Sequence, residues 1–233
     1  MQTGVIPDIW KKASITPVFK KGSPSDPANY RPISITCIAC RLSEVVVRDG
    51  LLAHLRGCGI ISSNQHGFLT RKSTTTQLLE YCYDWNLGLK SHKEVDIVYL
   101  DFAKAFDTVV HSKLIAKLEC NNVNAALITW IKCFLSNRLQ FVKIGNSCSS
   151  TCAVISGVPQ GSVLGPVLFI VYINDISDCV LRGSKMKLYA DDAKVYTVID
   201  DLNSQAILQK SLDSVLAWSR HWQLALSETK CAV

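Results

Sequence analysis

The chain has 233 residues, 48% of them hydrophobic and 19% charged, with a formal net charge of +6. That length buries a sizeable core and that composition excludes a disordered chain, while the absence of repeats excludes a solenoid. The basic balance is compatible with a nucleic-acid partner without requiring one. The most apolar run, VLGPVLFIVYI, is too short to span a membrane, and MQTGVIPDIWKK lacks the apolar region of a signal peptide. The 10 cysteines are scattered, and neither Cys37/Cys40 nor Cys148/Cys152 has a second half at zinc-ligand spacing. Reduced, buried thiols in an intracellular protein are expected, nuclear or cytoplasmic, with no clear targeting signal.

In chain order, ITPVF is a short strand and KKGSPSDPANY a loop punctuated by Gly22, Pro24 and Pro27. Lys11, Lys12, Lys20, Lys21 and Arg31 outnumber Asp8 and Asp26 here, as either a solvated basic surface or a phosphate-contacting patch. Residues 38 to 56 predict a helix whose apolar face holds Leu42, Val45, Val46, Leu51, Leu52 and Leu55. After the turn region GCGIISSNQHGF, another helix begins near Ser73 and runs through QLLEYCYDWNLGL. EVDIVYLDF is a buried strand ending in an aspartate, and LIAKL and ALITWIKCFLSN are helical. FVKIGNSCSSTCAVI predicts a hairpin about a Gly-Asn turn, and GVPQGSVLGP a loop feeding an apolar helix. MKLYADDAKVYTV is a further hairpin. Leu208, Leu212, Val215, Leu216 and Trp222 recur at helical spacing in the last long helix, where Trp218 and Trp222 read as packing residues. Together these predict an α+β fold, a largely antiparallel sheet with helices on one face, and no linker to a second independent domain.

Asp191 and Asp192 admit two readings, turn chemistry or metal binding. Asp101 ends a strand, so it either caps a helix over AKAFD or joins Asp191 in a set of carboxylates suited to Mg²⁺. Two such ions would activate a hydroxyl for phosphoryl transfer. Phe106 is core or lies against a nucleotide sugar, while Asp107 and His111 are assigned to capping or local hydrogen bonds. In GVPQGSVLGP the glycines Gly157, Gly161 and Gly165 allow close backbone approach and Gln160 can donate and accept. Without the Lys-Ser/Thr ending of a P-loop, this stretch is an irregular turn or a substrate loop.

Taken in order, WKKASITPVFKKG, NYRPISIT, NQHGFLTRKSTTTQLL, YLDFAKAFDTVVH, GVPQGSVLGPVLFIVYINDI, YADDAKVY and WSRHWQLALSETKCAV resemble the reverse transcriptase domain of non-long-terminal-repeat, LINE-type retrotransposons. The resemblance covers nearly the whole chain. It implies a right-hand polymerase with an antiparallel palm sheet backed by helices, residues 1 to about 90 mainly fingers and 91–233 mainly palm. It further implies an RNA template, a DNA primer, deoxynucleoside triphosphates and two Mg²⁺, with Mn²⁺ as a substitute, and no membrane partner. On this resemblance Asp101 and Asp191 are the principal metal-holding carboxylates and Asp192 the third acidic member. Phe106 is the sugar-gating aromatic, and Gln160 and Gly161 lie beside the nascent base pair. Lys20, Lys21, Arg31 and Arg71 approach template or nucleotide phosphates. Lys230 is a candidate proton donor to pyrophosphate. Thr75 stands where many relatives carry cysteine, and CRLSEVVV departs from the more familiar helix start. No endonuclease portion precedes the fingers motifs and no thumb follows Lys230, so weak or absent processive synthesis is expected of this polypeptide alone. Its rivals are an inactive retrotransposon remnant and a residual RNA-binding module.

Overall fold

A computed structural model describes residues 5–233, except the side chain of Leu202; Met1–Gly4, part of the stretch read for a leader, lie outside. The elements are β1 (Lys12–Phe19), β2 (Tyr30–Ile35), α1 (Ile38–Gly57), α2 (Thr74–Lys90), β3 (Glu94–Leu100), α3 (His111–Cys120), α4 (Ala125–Leu135), β4 (Arg138–Ile144), β5 (Ser147–Cys148), β6 (Cys152–Val154), α5 (Gly165–Ile173), β7 (Ser184–Tyr189), β8 (Asp192–Ile199) and α6 (Leu202–Trp222). They form two compact units. One takes the chain up to Cys58 with Val109–Leu168, the other Gly59–Thr108 with Phe169–Val233. Among the described residues no helix is long and apolar enough to cross a membrane.

The first unit is built on a sheet ordered β2-β1-β4-β5, with β6 also paired to β4. β1 and β2 are antiparallel and β1 and β4 parallel. The expected hairpin is present, its turn at Gly145 and Asn146 between Ile144 and Ser147. On α1 the buried row is Cys40, Glu44, Val47, Leu51 and Leu55, a helical stripe of one face. Leu42 and Val46, expected inside, are 67% and 60% exposed. The helix is rotated from its apolar pattern because Glu44 is drawn inward to hydrogen-bond donors described below.

The second unit carries the antiparallel sheet β3-β8-β7. Ser73 caps α2 by accepting the Thr76 N–H while the Thr76 hydroxyl accepts the Ser73 N–H, a reciprocal pair that fixes the helix start. The expectation of helices on one face gives way to helices on both. α2 covers the side bearing Lys194 and Tyr196: Lys194 Nζ sits 4.1 Å from the Tyr81 ring centroid, and Tyr196 donates to Asp84 Oδ2 at 2.6 Å. On the strand's other side Phe102 meets Trp218 of α6 edge-on at 6.4 Å. Gly88 permits α2 to approach so closely, since a Cβ there would lie 3.1 Å from Val198 and 3.2 Å from Val95.

Candidate active site

Strand register builds the centre of the site. The β3–β8 ladder ends at Leu100↔Ala193, so one step further sets Asp101 opposite Asp192 on the same side of the sheet. Both line a cleft of about 480 Å³ with Tyr99, Lys194 and Lys230, walled by Gln77 and Tyr81 of α2. No helix begins after Asp101; residues 103–107 are turns, so its capping reading fails. Asp191 is the second residue of the two-residue turn closed by Tyr189↔Asp192, half-buried, and Ala190 before it has φ +56°.

The last residues of the described chain run along the free edge of β3. Tyr99 and Ala232 exchange N–H···O bonds of 2.8 and 3.2 Å, Ser227 N–H donates to Asp101 O at 2.7 Å, and Ala103 N–H donates to Ala225 O at 2.8 Å. That path delivers Lys230, whose Nζ donates to Asp101 Oδ2 at 2.8 Å. Lys230 therefore meets the expected metal-holding carboxylate itself. The donor set of hard carboxylate oxygens suits Mg²⁺, yet among the described residues no group of three or more His, Cys, Asp or Glu is gathered to hold an ion. What converges is Asp101, Asp192 and Lys230, with Asp191 on the adjoining turn.

Phe106 is fixed by aromatic neighbours, stacked on Phe169 at 4.4 Å and edge-on to Phe68 at 6.1 Å. Arg71 is exposed with φ +65° in the turn leading to α2. Gln160, Gly161, Lys20, Lys21 and Arg31 belong to the first unit. The two lysines follow β1 and Arg31 pairs with Val18, so all three basic groups are exposed at the loop end of the β1–β2 hairpin.

The GVPQGSVLGP loop is held by its backbone from several directions. Ser34 N–H of β2 donates to Gln160 O at 2.6 Å, and Gly157 N–H donates to Val109 O at 2.8 Å. Gly161 has φ +99°, and a Cβ there would stand 2.9 Å from Ser34 O. His111 Nε2 lies 2.8 Å from Gly157 O, a contact across 46 residues rather than the local bond expected for it. Glu44 is fully buried, and its Oε2 accepts the N–H groups of Val163 (2.8 Å) and Leu164 (3.0 Å) at the approach to α5. The Cys40 thiol lies 3.5 Å from Glu44 Oε1. Burial, then the Glu44 charge, pushes that thiol up to about 12. Sequence reading passed over Glu44; its one signal was a charged residue inside an apolar helical repeat.

A second polar cluster pins α2 to β7. Lys187 donates to Glu80 at 2.5 Å and Lys185 to Asp84 at 2.7 Å. Burial raises both carboxyls, but the hydrogen bonds from Lys187 to Glu80, and from Lys185 and Tyr196 to Asp84, outweigh it and hold both below their usual range. Beneath them His66 is enclosed, with Nδ1 3.0 Å from Thr76 Oγ1 and Nε2 3.3 Å from Glu80 Oε2.

The family model described as reverse transcriptase (RNA-dependent DNA polymerase) matches residues 18–233. The chain belongs to the reverse transcriptase family. Its relatives place it with the non-long-terminal-repeat retrotransposon type. It is 31% identical to the RNA-directed DNA polymerase from mobile element jockey of Drosophila melanogaster, over 100% of this chain and 26% of that protein. A probable RNA-directed DNA polymerase from transposon BS of the same fly is 30% identical, over 96% of this chain and 26% of that protein. The chain thus spans about a quarter of the length of these curated relatives. Among solved structures, apo telomerase from Candida tropicalis truncated from its C-terminal domain superposes with a TM-score of 0.67 at 11% identity. That match covers 98% of this chain and 51% of the other, a likeness of fold.

Proposed function

We propose that this chain is the template-directed core of an RNA-directed DNA polymerase, adding deoxynucleotides to a primer 3′-hydroxyl opposite an RNA template. The observation that carries the reading is Asp101 and Asp192 lining one cleft with Lys230, with Asp191 next to Asp192 at the hairpin tip. In this reading residues 1 to about 90 are mainly fingers and 91–233 mainly palm, with intervening fingers-proximal elements. Asp101, Asp191 and Asp192 would hold two Mg²⁺, which when bound lower the pKa of the 3′-hydroxyl and offset triphosphate charge. Lys230 carries a proton on Nζ, within reach of the same cleft, to give to the departing pyrophosphate. Phe106, locked between two rings, restricts the space at the sugar, and the Gln160–Gly161 loop presents rigid backbone to the nascent pair. Lys20, Lys21, Arg31 and Arg71 supply positive charge to phosphates, while base pairing reads sequence. The test is primer extension on an RNA template. Incorporation of deoxynucleotides in preference to ribonucleotides, abolished by Asp191→Asn, is the expected result; incorporation unchanged by that substitution sinks the reading.

The Lys230–Asp101 ion pair favours a second reading, an RNA-binding module without catalysis, because the lysine already satisfies the carboxylate. It requires RNA binding that survives Asp191→Asn and no incorporation by the unaltered chain.

A further inference from the structure

The turn Ala190–Asp191 is gripped by a segment far away in sequence. Leu188 N–H donates to Asn64 O at 2.9 Å and His66 N–H donates to Leu188 O at 2.8 Å, so residues 64–66 lie alongside the end of β7. Between them sits Gln65, with 0% exposure. Its Oε1 accepts the N–H of Ala190 at 2.9 Å and that of Gly67 at 2.7 Å. Its Nε2 approaches Ala190 O at 3.5 Å, so one amide faces both polar groups of a single peptide residue. Ala190 is itself unusual, a buried non-glycine residue at φ +56°. Such a conformation persists where surrounding contacts over-determine it. Gly67 completes the grip from the other side: a Cβ there would stand 2.3 Å from Ala190 N, so only glycine lets the two backbones touch.

We infer that Gln65 is a positioning residue for the polymerase reaction, its buried amide setting the direction in which the Ala190–Asp191 turn presents Asp191 and Asp192. Gln65 touches neither substrate nor reacting atoms. The inference rests on the polymerase reading for the role of the aspartates, and on geometry alone for the grip. Satisfying buried backbone groups fixes the turn because the alternative leaves them unpaired out of reach of water. A carboxylate misplaced by about an ångström loses roughly 10²-fold in rate while the binding surfaces stay as they were.

The test compares Gln65→Leu, which keeps the bulk and removes the acceptor, with Gln65→Glu, which keeps the acceptor. Amide exchange is measured on the whole chain beside steady-state primer extension. In the Leu variant the Ala190 and Gly67 amides exchange about tenfold faster or more, while Val195 and Tyr196 in the β8 ladder stay protected. Its kcat falls by roughly 10²-fold with the deoxynucleotide KM changed about twofold or less, and the Glu variant retains Ala190 protection and most of the rate. Unchanged exchange at Ala190 in the Leu variant overturns the inference. So does a Glu variant that loses Ala190 protection, which decides the matter should the Leu variant fail to fold. An unaltered chain that incorporates nothing removes the polymerase reading, and the exchange data still judge the grip.

Discussion

His66 shows how a single enclosed side chain ties stability to pH. Burial and then the charge of Lys72 lower its pKa from the ordinary 6.5, with Lys187 acting the same way and Glu80 opposing. The folded chain therefore holds the ring neutral where the unfolded chain begins to bind a proton. Stability from this group is fully present above 6.5 and is lost as pH falls from there through the lowered folded value. Glu80 and Asp84, whose folded pKa values are also depressed, act lower down. Their contribution disappears as pH falls through and below the ordinary values of 4.5 and 3.8. Thermal denaturation from about pH 7 to about pH 5 should thus show a falling Tm, and His66→Gln should flatten that slope even though it lowers the starting Tm. Equal slopes in the two proteins would remove His66 as the cause.

At the scale of elements, α1 and the loop before α5 are joined by Glu44. Glu44→Leu fills similar volume but orphans the Val163 and Leu164 amides and leaves the buried Arg138 guanidinium without its nearby anion. A loss of about 3 kcal/mol follows from breaking such a buried arrangement one-sidedly. Glu44→Gln retains an acceptor oxygen and should lose about 1 kcal/mol, the difference between charged and neutral acceptors. Urea midpoints measure both, and a Leu variant as stable as the parent would contradict the role given to this carboxylate. The same contact explains what the chain's pattern hides. The start of α2 at Ser73 and the pairing of MKLYA with AKVYT are legible because their signals are local: a capping hydroxyl, and alternation across a short turn. The facing of α1 is not, since Glu44 is placed by amides 119 and 120 positions away. His111 was given a local bond, and Gln65 was passed over, for the same reason, as each finds its partner on a distant segment.

For the whole molecule, the decisive property is how its charge is laid out. A net +6 says little by itself, but Lys20, Lys21 and Arg31 lie together at one exposed hairpin end. Lys185 and Lys187, in contrast, are engaged by carboxylates. The legible part of the site divides along this line. Which aspartates end strands could be read from hydrophobic runs, whereas the Lys230–Asp101 pair depends on a tail crossing the edge of β3 and has no local signature. If the hairpin end is the phosphate-contacting surface, binding to a single-stranded RNA releases counterions in proportion to the charges engaged. The slope of log affinity against log salt is about −0.7 per contact for single strands. Replacing Lys20, Lys21 and Arg31 together by alanine should make the slope shallower by about 2 and weaken binding at low salt without regard to RNA sequence. Fluorescence anisotropy over a salt series measures both. A triple variant with the parent's slope would move the nucleic-acid surface elsewhere on the molecule, and a loss confined to particular sequences would mean that these side chains read bases rather than phosphates.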